Sequence, residues 1–134
     1  MRKKSSQEHL PIEHLPTLKV ITRPNDANLS GDIFGGWLMS QMDIAGAIVA
    51  RERAKGPVVT VAVKNLLLMK PIFVQDVVIF YTEITRVGTT SITVDIEVFT
   101  QRLKNQKVQV DKVSTGTFVY VAVVKPGKKR KVTD

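Results

Sequence analysis

Cysteine is absent from this chain of 134 residues, which excludes disulfide bonds, thiolate metal ligands and a thiol nucleophile. Histidine is scarce, and both histidines, His9 and His14, lie close to the N-terminus. The rest of the chain therefore lacks a histidine base of the kind that activates serine in a catalytic triad. Two histidines in an N-terminal arm without a third ligand make a poor metal site, so we expect no bound metal.

Long apolar runs are also few. The longest apolar segment, residues 35–54, contains glycines and polar side chains and ends in Arg51-Glu52-Arg53, which argues against a membrane span. The charged N-terminus is not followed by an apolar run and does not resemble a signal peptide. Together with the absence of cysteine, these features predict a cytoplasmic protein.

Acidic residues are outnumbered, and the formal net charge is +8. The excess lies mostly at the ends of the chain, because residues 19–124 contain twelve lysines and arginines against nine acidic residues. No stretch interleaves aromatic with basic residues, and neither zinc-finger spacing nor a helix-turn-helix pair is present. We therefore expect solvated basic ends and no specific nucleic-acid partner, and keep polyanion binding by the ends as an alternative.

The length and the hydrophobic content of 43% fit one domain with a substantial core. Residues 1–16 contain Pro11 and Pro16 and show little periodicity, which predicts a flexible N-terminal arm. The domain is predicted over residues 17–125, followed by a basic C-terminal tail over residues 126–134.

The pattern of the domain predicts one long helix over residues 35–54, with Ser30 or Asp32 as its cap and Lys55-Gly56-Pro57 as its stop signal. Nearly all residues within this segment are apolar, so the helix should be buried on most sides. Its burial requires a surrounding sheet.

Strand patterns lie on both sides of the helix. Residues 17–23 alternate as a first strand, and after the helix a two-residue period continues to residue 124. Four strands are predicted there, over residues 58–68, 77–87, 90–103 and 108–124, the last with a break near Ser114-Thr115-Gly116 as an alternative. The fold class is therefore α+β, with a long central helix wrapped by a five-stranded, mainly antiparallel sheet. Apolar outer positions and open sheet edges favour a partner subunit.

Asp43 is the unusual residue of the helix, because an ionised carboxylate among apolar residues is costly unless it is paired, hydrogen-bonded or next to a wet cavity. Gly46 and Ala47 lie on the same helix face and leave space around it. The residues alone leave two interpretations open: Asp43 faces solvent or pairs with an arginine, or it is a functional carboxylate.

Gly31, Gly35 and Gly36 crowd the start of the helix and also permit two interpretations. Glycine allows a sharp turn and a close approach of the helix to the sheet. A helix N-terminus with small residues also presents free N–H groups that suit a phosphate or a developing oxyanion. Asn28 and the Gly88-Thr89-Thr90-Ser91 segment are each consistent with ordinary turns.

A series of short motifs follows one another along the chain: Asp26-Ala27-Asn28, Gly31-Asp32-Ile33-Phe34-Gly35-Gly36-Trp37, Met39-Ser40-Gln41-Met42-Asp43, Val58-Val59-Thr60-Val61-Ala62-Val63, Pro71 with Asp76-Val77-Val78, Gly88-Thr89-Thr90-Ser91-Ile92, Glu97-Val98 and Tyr120-Val121-Ala122-Val123. This series closely resembles the YciA-like acyl-CoA thioester hydrolases of the hotdog superfamily. The resemblance covers residues 17–124.

The resemblance implies a hotdog fold and hydrolysis of acyl-CoA to a free carboxylic acid and CoA. Because CoA is part of the substrate and product, no separate cofactor is implied. Asp43 takes the position of the family's catalytic carboxylate, as general base or nucleophile, and Asn28 that of the asparagine paired with it. Gly35 and Gly36 are the candidates for holding the oxyanion. The other implied substrate-binding residues are Thr60, Val61, Gly88, Thr89 and Ser91.

The implied assembly is a homodimer that forms a hexamer as a trimer of dimers. Asp43 lies seven residues beyond Gly36, about 10 Å along a straight helix, so a single thioester does not easily reach both groups from one chain. We therefore predict a composite active site across the dimer interface.

The chain departs from the family pattern at two positions. Gln75 stands where glycine is usual before Asp76, and Leu68 replaces a common aromatic residue. The alternative function is a non-catalytic acyl-CoA binding or sensing module on the same fold. Release of free CoA separates the two functions.

Overall fold

The computed structural model describes residues 8–133. In chain order its elements are β1 (Leu18–Ile21), a 3₁₀ turn (Pro24–Asp26), α1 (Gly35–Ala54), β2 (Val58–Leu68), β3 (Val77–Val87), β4 (Ser91–Lys104), β5 (Lys107–Lys125) and β6 (Lys128–Lys129). The strands form an antiparallel sheet in the order β1-β3-β4-β5-β2, and β6 pairs with the end of β5.

This architecture confirms the predicted α+β class, with one long helix on a mainly antiparallel sheet. The helix, β2 and β3 have the predicted bounds, and β4 is displaced by one residue. The sixth strand was not expected, because it lies within the predicted basic tail. The sheet therefore has the five predicted strands and one additional strand of two residues.

The predicted alternative of a break in β5 near Gly116 is wrong. β5 is continuous, and its pairing with β4 shifts where Val98 and Phe99 face Ser114 and Lys112. Val113 is thus the extra residue of a β-bulge, which bends the strand without ending it.

The helix N-terminus is not capped as predicted. Phe34 occupies the N-cap position, and no side chain accepts a hydrogen bond from the first turn. Asp32 instead forms a bridge with Phe73, and the main-chain oxygen of Asp32 accepts the N–H of Asn28 at 2.8 Å. The first turn of α1 therefore keeps N–H groups that no side-chain cap satisfies.

One face of α1 packs on the inner face of the sheet. Its buried residues are Leu38, Met42, Ala45, Gly46, Ala50 and Ala54. Facing them, alternate residues of β4 are buried, from Ile92 to Val98. The sequence predicted a helix buried on most sides, but Met39, Ile44 and Ile48 on the other side are 38–48% exposed. The open sheet covers only one side of the helix.

Both ends of the described chain contact the sheet. The N–H of Glu8 donates to the carbonyl of Val110 at 2.8 Å, and its carboxylate accepts the N–H of Lys112 at 2.9 Å. At the other end, the N–H of Val132 donates to the carbonyl of Thr89 at 2.8 Å. Hydrogen bonds thus join the sheet to residues of the predicted N-terminal arm and of the predicted C-terminal tail.

Candidate active site

The loop before α1 carries Asn28. A bridge between Ala27 and Ile33 closes this loop. The side-chain oxygen of Asn28 accepts the N–H of Ser30 at 2.8 Å, which forms an Asx turn. The carboxamide nitrogen of Asn28 can donate to a ligand, and its oxygen keeps a second lone pair beside the one used in the turn.

Asp43 is held by two hydrogen bonds from the sheet. The hydroxyl of Thr60 donates to its carboxylate at 2.6 Å, and the hydroxyl of Tyr120 donates to its main-chain carbonyl at 2.8 Å. Thr60 on β2 and Tyr120 on β5 are directly paired across the two strands. One cross-strand pair therefore fixes both the main chain and the side chain at Asp43.

Tyr120 is completely buried. Burial raises the pKa of its phenol, and the negative charge of Asp43 and the hydrogen bond to Asp43 raise it further. The phenol therefore stays protonated and remains a donor at neutral pH.

Gly46 makes this contact possible. A side chain there would overlap the hydroxyl of Tyr120, and its Cβ would lie 2.9 Å from two ring carbons. The sequence suggested that Gly46 leaves room around the Asp43 carboxylate. In the structure, Tyr120 fills the space beside Gly46.

The two glycines at the helix start have different environments. A Cβ on Gly35 would lie 3.1 Å from Cδ1 of Leu68, so glycine lets β2 approach the helix closely. A Cβ on Gly36 would meet nothing within 4 Å. Packing within the chain therefore accounts for Gly35 but does not require glycine at position 36.

The remaining predicted site residues take no part in the recorded hydrogen bonds of this group within residues 8–133. Val61 is 54% exposed, at a shift in the pairing of β2 with β5. In the 88–91 turn, the N–H of Gly88 donates to the carbonyl of Ser91 at 2.8 Å. The main-chain carbonyl of Thr89 accepts a hydrogen bond from the N–H of Val132. Among residues 8–133, the structure connects Thr60 to Asp43 but records no hydrogen bond from Asn28, Gly35, Gly36 or the turn to Asp43.

An ion pair that the sequence did not reveal supports the loop that carries Asn28. The guanidinium of Arg102 donates to both oxygens of buried Asp76, at 2.8 and 2.7 Å, and lies over the ring of Phe73. The Asp76 carboxylate also accepts the N–H of Phe73 at 2.9 Å. Because Phe73 bridges to Asp32, this turn buttresses the 25–34 loop. The motif series included Asp76, but no pattern pointed to Arg102.

Gln75, where the family pattern usually has glycine, has an unusual backbone conformation. Gln75 has a φ of +75°, in the left-handed region that favours glycine. Glutamine adopts this conformation at a cost in backbone strain.

Two clefts, of about 450 and 660 Å³, are lined by other residues and include neither Asp43 nor Asn28.

Within residues 8–133, no group of three or more histidine, aspartate or glutamate side chains is placed to hold a metal ion. In the same part of the chain, no helix is long and apolar enough to cross a membrane.

Comparison with known proteins identifies relatives of this fold and sequence. The family model of the thioesterase superfamily matches residues 30–105. The acyl-CoA thioester hydrolase YciA of Salmonella typhimurium is 47% identical over 114 residues, which cover 84% of this chain and 86% of that protein.

Solved structures agree. A hexameric hotdog fold thioesterase of Campylobacter jejuni superposes with a TM-score of 0.85 and 39% identity, over 88% of this chain and 90% of that chain. HI0827, a hexameric broad specificity acyl-coenzyme A thioesterase, gives a TM-score of 0.84 and 41% identity, over 90% and 82% of the two chains. A variant of HI0827 with one aspartate replaced by alanine has also been solved.

These similarities confirm the resemblance seen in the sequence and the hotdog fold. The match extends over most of this chain and most of each relative. The chain belongs to the YciA-like acyl-CoA thioester hydrolases of the thioesterase superfamily.

Proposed function

We propose that this protein hydrolyses acyl-CoA to a free carboxylic acid and CoA, with Asp43 as the catalytic carboxylate. The observation that carries the proposal is the carboxylate on α1 whose Oδ1 accepts the Thr60 hydroxyl at 2.6 Å. That bond orients the carboxylate and leaves Oδ2 to act on water or on the substrate. The similarity to an acyl-CoA thioester hydrolase and to a broad specificity acyl-coenzyme A thioesterase supports the same reaction.

A thioester is electrophilic enough to react without a histidine-activated serine. As a general base, Asp43 takes a proton from water while the water oxygen attacks the carbonyl carbon. The tetrahedral intermediate then breaks its C–S bond, and the CoA thiolate leaves and is protonated. As a nucleophile, Asp43 instead displaces the thiolate to give an anhydride, which water hydrolyses.

Asn28, Gly35 and Gly36 supply donors in this proposal. The carboxamide nitrogen of Asn28 and the uncapped N–H groups at the start of α1 suit the developing negative charge on the carbonyl oxygen. The open space beside Gly36 is consistent with a ligand or partner there. We propose Val61, Gly88, Thr89 and Ser91 as further substrate contacts, as implied by the family motifs.

The active site is proposed to be composite. Gly36 and Asp43 are about 10 Å apart along α1, and the two clefts described above do not include Asp43. β2 is an edge strand whose residues Val61, Val63, Leu67 and Leu68 are 47–56% exposed, next to the exposed side of α1. A second copy covering this apolar surface around a twofold axis would bring Asp43 of one subunit opposite the helix start of the other.

The dimer is proposed to assemble further as a trimer of dimers, since the two similar solved structures above are hexameric. The cytoplasmic location expected from the sequence stays a prediction.

Release of free CoA from purified protein tests the reaction. Asp43→Asn should abolish turnover and leave CoA binding and the fold intact, because the amide keeps the shape of the side chain and loses its basicity. Near-normal turnover by this variant would contradict the assignment. A wild-type protein that binds acyl-CoA and releases no CoA would support the binding module instead.

Subunit mixing tests the composite site. Asn28→Ala and Asp43→Ala proteins, each inactive alone, are mixed under conditions that exchange subunits. A heterodimer then contains one intact and one doubly damaged site, so partial activity should return. If exchange is demonstrated and activity does not return, both residues serve one site from the same chain.

A further inference from the structure

The C-terminal segment, residues 123–133, has a fixed position at one end of the sheet. β6 pairs with the end of β5, and the N–H of Arg130 donates to the carbonyl of Ala122 at 3.0 Å. The N–H of Val132 donates to the carbonyl of Thr89 at 2.8 Å, which joins the segment to the 88–91 turn. The end of this segment is therefore held beside the turn, and the lysines of β6 are held against the end of β5.

Arg130 has a structural role within this segment. Its guanidinium donates to the carbonyl of Ala54 at 2.6 Å and to that of Val123 at 3.2 Å. Ala54 is the last residue of α1, where unpaired carbonyls carry partial negative charge. Arg130 thus ties the segment to the helix end and is not available for a ligand.

The lysines of the segment have no comparable structural role. Lys125, Lys128, Lys129 and Lys131 are exposed, and none takes part in the ion pairs recorded for residues 8–133. Segments 51–56, 86–91 and 123–133 together contain nine lysines and arginines and one acidic residue, Glu52. Like charges held together repel one another unless an anion binds among them.

We propose that the C-terminal lysines, with the 88–91 turn, bind the phosphate groups of the CoA nucleotide. This inference rests on the proposed thioesterase function. CoA has its thioester at one end and its phosphates at the other, so its phosphate site must lie well away from the catalytic carboxylate. Along α1, Asp43 and Ala54 are about 17 Å apart, and the lysines lie at the Ala54 end. The hydroxyls of Thr89 and Ser91 add neutral donors beside them.

A pair of charge-neutralising variants tests this site. Lys128→Gln with Lys129→Gln removes two charges and leaves Arg130 unchanged. The matched control, Lys104→Gln with Lys107→Gln, removes two exposed lysines from the turn at the other end of the β4–β5 hairpin. Both are assayed with butyryl-CoA, butyryl-dephospho-CoA and butyryl-pantetheine, the last of which lacks the nucleotide and all phosphates.

The 128/129 variant should raise KM for butyryl-CoA about three- to tenfold at low salt and leave kcat unchanged. This effect should shrink as salt rises, and it should vanish with butyryl-pantetheine. If it also vanishes with butyryl-dephospho-CoA, the lysines contact the 3′-phosphate; if it persists there, they contact the diphosphate.

Equal KM values for the 128/129 variant and the control would overturn the proposal, as would a raised KM that persists with butyryl-pantetheine. Weaker binding of a phosphate-rich duplex DNA, with an unchanged KM for butyryl-CoA, would assign the lysines to a nucleic acid and also overturn it. A wild-type protein that releases no thiol from any of the three compounds, or from acyl-CoAs of other chain lengths, would instead contradict the proposed function itself.

Discussion

The phenol of Tyr120 and the main-chain carbonyl of Asp43 share a hydrogen bond of 2.8 Å, although 77 positions separate the two residues. This bond connects the turn of α1 that carries the carboxylate directly to β5. Thr60, the cross-strand partner of Tyr120, holds the carboxylate itself. The position of Asp43 thus depends on the pairing of β2 with β5.

Tyr120→Phe should lower kcat about tenfold with little change in KM, because the turn at Asp43 loses its connection to the sheet while the substrate contacts remain. The free energy of unfolding should also fall by about 1 kcal/mol, since a partly buried carbonyl loses one of its donors. Tyr81→Phe is the matched control, because Tyr81 lies in a separate cluster with Phe99 and Val110. A loss of stability without any loss of kcat would make Tyr120 purely structural.

Tyr120 should also make stability decline in alkali. Burial and the nearby Asp43 raise the pKa of Tyr120 in the folded state above its ordinary value of 10.0. The stabilising contribution of Tyr120 is therefore complete below about pH 10. Above that pH the unfolded chain loses the phenol proton more readily than the folded chain does, so this contribution decreases by at most about 1.4 kcal/mol per pH unit. Urea unfolding from pH 8 to 11 should show a shallower decline for Tyr120→Phe than for the wild type. Parallel curves would contradict the expectation.

Gly46→Ala should destabilise the protein, although alanine is favoured over glycine in helices by about 1 kcal/mol. The added methyl group would overlap the Tyr120 hydroxyl and press on its ring. Either the helix moves from the sheet or Tyr120 loses its bond, and both displace Asp43. Ser40→Ala, at an exposed position of the same helix, should be neutral or slightly stabilising. Thermal unfolding and kcat of the two variants give the comparison.

Gln75→Gly should stabilise the protein by about 0.5 to 1 kcal/mol. Glycine relieves the strain of the φ of +75°, and the greater freedom of glycine in the unfolded chain offsets part of the gain. Gln75→Ala keeps the strain and should leave stability nearly unchanged. The midpoints of denaturant unfolding, compared at equal m-value, measure the difference in stability. A destabilised glycine variant would show that the glutamine side chain itself supports the turn.

The sequence located Asp43 because a charge inside an apolar helix is visible without any structure. It could not reveal the partners of that residue. A tyrosine in an apolar strand is typical of a core, and nothing in the pattern shows that its hydroxyl reaches a carbonyl on a distant helix. Thr60 was assigned to the substrate by resemblance, while in the structure its hydroxyl donates to Asp43.

Local propensity misled at the start of the helix and beyond β5, whereas the helix ends after Ala54 as predicted. Ser30 and Asp32 are good capping residues, but the bridge from Asp32 to Phe73 draws that segment into the loop, and Phe34 precedes the helix instead. Beyond β5, a run of lysines is typical of a solvated tail. In the structure, the carbonyl of Ala54 accepts a hydrogen bond from the guanidinium of Arg130. Composition does not reveal such a contact between distant parts of the chain.

The strand order has a consequence for folding. β3, β4 and β5 are joined by short turns, whereas Leu18 on β1 pairs with Phe80 and Val58 on β2 pairs with Ala122. Pairings between distant segments carry a larger loop-closure cost and tend to form late. Asp43 depends on one of these late pairings through Thr60. Hydrogen exchange should therefore be slower in β4 than in β2, and opening of the β2 edge alone should silence the enzyme while the three-stranded meander stays folded.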